Sequence, residues 1–193
     1  MVYHAMNSKS IEALRGLNFL GQHAGILLHD HETALYHFGT DHAECNVHII
    51  RYLRKNTEET GNQWSDKMIS LLGGMNKQRK GLMAQGEEVM PAGMIADYEE
   101  KYFSILKQGC EENKATAHKY AKQEETALPG RLKKYSHNHP LFLHDFAVPF
   151  DDNLSERDLR KAKNRQKMAG GFWKESGHEM YCSIMTIIET LKK

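Results

Sequence analysis

The sequence has 193 residues, with 26 lysines and arginines set against 25 aspartates and glutamates. That length allows one domain with a real core, or a domain carrying an inserted subdomain, and the near-balance of charge means that affinity for nucleic acid has to come from local patches and not from a global field. The three cysteines, Cys45, Cys110 and Cys182, are widely spaced without a CxxC pair, which speaks against a disulfide scaffold; with no secretory-signal pattern and no apolar run of about 18 residues, a soluble, cytoplasmic protein with no membrane partner is expected.

In chain order, Met1 to Met6 reads as a short strand, and Ser8 or Ser10 can cap a helix reaching about Gly16 through Ile11, Leu14 and Leu17. Gly21 to Gly25 turns the chain into Ile26-Leu27-Leu28-His29-Asp30, an apolar run closed by a carboxylate. Such runs suit a strand covered on both faces, and in open α/β sheets the carboxyl end of a strand is where ligands sit. Asp30 therefore stands where a metal ligand would stand, or else caps a helix over Glu32 to Phe38. Farther on, His42, Cys45 and His48 are spaced by three, would share a face of a helix, and are competent zinc ligands. The competing reading is a buried Cys and His bracing a strand-to-helix junction.

The middle of the chain follows the helical period. Trp64, Met68, Leu71, Leu72 and Met75 stripe one helix over about Gln63 to Gln85, and Met94, Ile95, Tyr98, Tyr102, Ile105 and Leu106 another from Pro91 to Gly109, with a polar helix over Lys114 to Glu125. Met68, Met75, Met83, Met90 and Met94 are read as core filler, and Lys77, Arg79 and Lys80 as a solvated loop patch. Leu128-Pro129-Gly130 should break this helical region. The organisation expected is residues 1–55 as part of an α/β core, 56–128 as an all-helical insert, and 129–193 as the return to the core.

Pro140 to Phe150 is rich in buried-type residues and leads to VPFDDNLSERDLRKAKNRQKMAGG, Val148 to Gly171. Asn153 is placed to cap a helix behind the Asp151-Asp152 turn, with Glu156 in its first turn. Glu156, Arg160, Lys163 and Lys167 then fall on one narrow stripe. A carboxylate heading a cationic stripe suits a metal with a phosphate backbone alongside; a capping box and an ordinary i,i+4 pair on a solvated helix is the plainer reading. A last helix from about Gly177 carries Met180, Tyr181, Ile184, Met185, Ile187, Ile188 and Leu191 as an apolar face that requires cover.

GILLHD with Tyr36, HAECNVHIIRYL, and VPFDDNLSERDLRKAKNRQKMAGGF together resemble the insertion sequence 66 family of bacterial DDE transposases, over essentially the whole chain. The resemblance implies a ribonuclease H-like fold, here partial and interrupted by the helical insert, so that the whole is α/β but helix-rich. It implies two aspartates and a glutamate holding two Mg²⁺ ions, with Asp30 as the second aspartate and Glu156 as the glutamate. It further implies transposon-end and target DNA as partners, with Lys163 at the position that contacts the transposon end, association with other transposase subunits, and a bacterial, nucleoid-associated location; Arg157, Arg160 and Lys167 on the same helix are expected to grip the DNA backbone beside it. The sequence departs from the family in three ways. Residues 1–29 contain no aspartate and only Glu12 as an acid, Trp173 stands where an arginine is expected, and the family's amino-terminal DNA-binding and zinc-ribbon regions are missing. A carboxyl-terminal portion of a transposase, truncated or split and weakly active or inactive alone, is the expectation; a non-catalytic DNA-binding or dimerisation module is the alternative.

Overall fold

The computed structural model describes residues 2–115, 119–168 and 175–192. In chain order it runs through α1 (Ile11–Arg15), α2 (Asn18–Gly21), β1 (Ile26–His29), a 3₁₀ helix (Thr33–His37), β2 (Asp41–Glu44), α3 (Asn46–Thr60), α4 (Trp64–Ala84), α5 (Ala92–Ala115), α6 (Lys119–Lys134), α7 (Leu141–His144), α8 (Asn153–Met168) and α9 (Glu175–Leu191). The protein is helix-rich with a small two-stranded sheet, and its chain divides into two compact units: Ala24–Glu32 with Gly39–Asp152, and Met1–His23 with Thr33–Phe38 and Asn153–Lys193.

In the first of these units β1 and β2 pair in parallel, with His29 opposite Glu44. Leu53, Trp64, Met68, Leu72, Met75, Leu132, Phe142 and Leu143 form the centre of the core, and all are buried. The helices meet through specific polar joints as well. Gly61 ends α3 in the left-handed conformation at φ 72°, which glycine adopts without Cβ strain. Glu112 of α5 accepts from the amides of Gln63 and Trp64 at 2.8 and 3.2 Å, so a carboxylate from another helix satisfies orphan donors at the start of α4 and complements its dipole. Gly109 lets α5 approach closely: a Cβ there would lie 2.7 Å from the Trp64 ring.

In the second unit, Tyr3, Leu14, Leu17 and Phe38 are buried, and Ser10 caps α1 by accepting from Ala13 N–H at 3.2 Å. Lys161 of α8 pairs with Glu189 of α9 at 2.8 Å. Thr186 of α9 accepts from the Tyr3 amide at 2.9 Å.

Several expectations need correction. Residues 2–6 form no strand. β1 is not covered on both faces, since Ile26 is exposed and only His29 is fully buried. The helix expected over 32–38 is a 3₁₀ helix that starts at Thr33, so Asp30 is not its N-cap. Gly109 does not stop α5, and Pro129 does not break the chain: it lies inside α6, because the buried Leu132 and the packing of α6 on α5 outweigh the hydrogen bond that proline removes. Arg79 is no loop residue. It sits on α4, nearly buried, donating to Phe146 O and to Val148 O at 3.1 Å and lying over the Phe142 and Phe146 rings. Among the methionines Met68, Met75 and Met90 are core, whereas Met83 is exposed. Asn153 is the first residue of α8 and not the residue before it. The last helix starts at Glu175, ahead of Gly177, and Met180, Ile184, Ile187, Ile188 and Leu191 remain exposed. Gly170 to Trp173 lies outside the described residues.

Candidate functional site

The carboxyl edge of the sheet holds the first predicted acid. Asp30 follows β1 directly and is exposed. His31, the next residue, has φ 69°, a left-handed conformation that is uncommon for a residue with a Cβ and that turns the chain sharply after Asp30. What holds His31 there is Glu44 at the end of β2: His31 Nδ1 lies 3.1 Å from Glu44 Oε1.

Glu44 is itself 1% exposed and forms the centre of a buried polar cluster. Arg131 Nη2 of α6 donates to Glu44 Oε2 at 2.7 Å, and His139 Nε2 lies 3.6 Å from Oε1. Behind His139, the Tyr102 hydroxyl stands 2.7 Å from Nδ1 and 3.1 Å from Leu132 O. Burial holds the His139 pKa below its usual value, outweighing the attraction of Glu44, and burial pushes the Tyr102 hydroxyl well up. Both groups therefore stay neutral near pH 7. None of Glu44, Arg131, His31 or His139 carried a signal in the sequence, because the partners lie far apart along the chain and no spacing motif links them.

α8 presents the second acid. Glu156 lies in its first turn, partly exposed, and Arg157, Arg160, Lys163 and Lys167 are exposed. At about 100° per residue, Asp158 and Lys161 fall roughly opposite the stripe of Glu156, Arg160, Lys163 and Lys167. They are the residues that tie α8 down: Asp158 is buried and its carbonyl accepts from the Tyr3 hydroxyl at 3.5 Å, while Lys161 is paired to α9. The cationic stripe thus faces away from the packed side of its helix. Asp30 belongs to one compact unit and Glu156 to the other.

The His42, Cys45 and His48 trio does not share a helical face. His42 is on β2, Cys45 is the N-cap of α3, and His48 is in the first turn of α3. His42 turns instead to His29, with ring centroids 5.5 Å apart, edge to face. Cys45 and His48 converge on a residue that the sequence reading treated only as part of a turn, Asp152. The Cys45 thiol donates to Asp152 Oδ1 at 2.9 Å, and His48 Nδ1 lies 3.7 Å from the same oxygen. Cys45 is buried, and desolvation together with the neighbouring carboxylate pushes its thiol up to about 12.

The chain belongs to the Transposase IS66 family, whose model matches residues 1–180. Membership implies a divalent metal, ordinarily Mg²⁺, and DNA as the substrate. No curated protein and no solved structure matches the chain. Among the described residues no helix is long and apolar enough to cross a membrane.

Proposed function

We propose that the chain acts in DNA transposition as part of a DDE catalytic module, with Asp30 and Glu156 as carboxylate ligands of Mg²⁺ in a ribonuclease H-like core and with Arg157, Arg160, Lys163 and Lys167 on the DNA backbone. The observation that carries this reading is the family match over residues 1–180; the exposed Asp30 at the end of β1 and the outward cationic stripe of α8 agree with it. In this reading residues 56–128 are a helical insert between 1–55 and 129–193, the protein works in the bacterial cytoplasm on nucleoid DNA, and it assembles with other transposase subunits.

The donor set fits the metal, since carboxylate oxygens are the hard ligands that Mg²⁺ takes and both acids are reachable from solvent. A bound divalent ion would supply an activated oxygen nucleophile and neutralise charge on the leaving 3′ oxygen. Arg160, Lys163 and Lys167 position the phosphates, a contribution that is largely independent of sequence. Residues 1–29 offer no aspartate, and their one acid, Glu12, is on α1. Two carboxylates leave the triad incomplete within residues 1–193, so strand transfer by this chain alone is expected to be weak or absent. A non-catalytic DNA-binding or dimerisation module is the second reading, favoured by the basic face of α8, which needs no metal to bind a phosphate backbone.

A salt titration of binding to a labelled random-sequence DNA duplex tests the interface. Lys163→Ala should lower the slope of log K against log salt by about one, and Lys161→Ala, already engaged by Glu189, should leave it unchanged. Mg²⁺-dependent plasmid nicking that disappears in both Asp30→Ala and Glu156→Ala supports the catalytic reading. Binding without nicking supports the second, and no DNA binding at low salt overturns both.

A further inference from the structure

We infer that Cys45, His48 and Asp152 form a transition-metal site, selective for Zn²⁺ over Mg²⁺, separate from the acids assigned to DNA cleavage. The three residues come from two places in one compact unit. Cys45 and His48 are fixed at the first turn of α3, while Asp152 arrives from 107 positions downstream, just ahead of α8. One ligand atom from each of the three residues lies within 4.8 Å of those of the other two. Tetrahedral zinc with bonds of about 2.0–2.3 Å needs ligand atoms about 3.3–3.5 Å apart. The separations of 2.9 Å from sulfur to Oδ1 and 3.7 Å from Nδ1 to Oδ1 fall on either side of that requirement, so loading the ion takes shifts of about half an ångström.

The donor chemistry selects the ion. Thiolate and imidazole are borderline-soft ligands that suit Zn²⁺ and Co²⁺, whereas Mg²⁺ takes oxygen. The surroundings agree with this. Cys45 opens α3 without capping it through its side chain; its sulfur instead faces Asp152, donating to Oδ1 at 2.9 Å and accepting from the Asp152 amide at 3.4 Å. Its backbone is held on both sides: Cys45 N–H donates to His29 O at 2.9 Å, and Asn46 N–H donates to Phe150 O at 3.1 Å. Asn46 is buried, and its side-chain amide donates to His139 O and Phe150 O, which fixes the segment entering Asp152 against the start of α3.

Two features oppose the ion: the burial that holds the Cys45 thiol protonated, and Arg51. Arg51 Nη1 lies 3.1 Å from His48 Nε2. A guanidinium only donates, so Nε2 accepts and the ring proton sits on Nδ1, facing Asp152. Loading the metal moves that proton to Nε2, which then repels Arg51, and releases the Cys45 S–H proton to solvent as the S–H bond is replaced by a metal–sulfur bond. Arg51 is an exposed side chain able to swing away, at a cost in affinity.

The test is metal analysis and Co²⁺ substitution on the full chain, in a Cys110→Ser, Cys182→Ser background that leaves Cys45 as the sole thiol. One zinc per chain is expected after purification and dialysis. Co²⁺ should give a thiolate charge-transfer band that vanishes in Cys45→Ser, a near-isosteric change that circular dichroism can show to be folded. His48→Ala and Asp152→Asn should each weaken Co²⁺ binding by about tenfold or more, and Arg51→Ala should tighten it severalfold. Sub-stoichiometric zinc, a band that survives Cys45→Ser, or Co²⁺ affinity unmoved by Asp152→Asn overturns the site. None of these readings depends on DNA cleavage.

Discussion

Glu44 is the residue on which the sheet edge turns. A carboxylate that is 1% exposed keeps its charge only because Arg131 donates to it at 2.7 Å and His31 adds a second contact. Removing one partner of such a pair strands the other charge in a poorly solvated setting, at a cost of roughly 3–5 kcal/mol. Glu44→Ala should therefore lower the urea midpoint of unfolding sharply, and Glu44→Gln with Arg131→Met should recover a large part of that loss, because two neutral groups need no counter-ion. Residues of this kind explain why so little of the site could be read from the chain. Asp30 and Glu156 are marked locally, one by the end of an apolar run and the other by a turn leading into a basic helix. Glu44 and Arg131 are 87 positions apart, and what pairs them is the packing of α6 on α5 and α3, which no local pattern encodes. Asp152 was legible only as a turn former for the same reason.

At the scale of elements, long periodic helices were the most legible. α4 and α5 follow stripes of apolar side chains visible in the sequence, and α4 ends close to the expected positions, whereas α5 runs past Gly109 to Ala115. What failed was the reading of breakers. Pro129 is an interior residue of α6, although proline costs about 3 kcal/mol relative to alanine in a helix interior. Its ring is buried, and losing two methylene groups from a buried site costs about 1.6 kcal/mol. The helix effect is the larger, so Pro129→Ala should stabilise the protein by about 1 kcal/mol, seen as a raised urea midpoint. Arg79 failed in the opposite sense: its neighbours Lys77 and Lys80 are exposed as expected, while the α4 surface turns Arg79 inward to the carbonyls of Phe146 and Val148.

For the molecule as a whole, acid should be the weak side. His139 is buried with its pKa held below the usual 6.5 by desolvation. In the unfolded chain it titrates near about 6.5, so below that pH the unfolded state binds the extra proton and the folded state does not. Stability is complete above about pH 6.5 and falls as pH drops toward the folded-state value. A pH series of urea midpoints should show this decline, and His139→Asn, which keeps a hydrogen-bonding group facing Tyr102 but cannot titrate, should flatten it from a lower starting stability.

The position of Arg131 has one more consequence. It rides on α6, most of which lies within residues 56–128, while its partner closes β2 beside the strand that delivers Asp30. The helical layer is therefore no detachable cassette. Removing residues 56–128 would keep Arg131 in the chain but take away most of the helix that aims its guanidinium at Glu44, so a miniaturised version of this protein would have to rebuild that support before it could shorten the chain between β2 and Arg131.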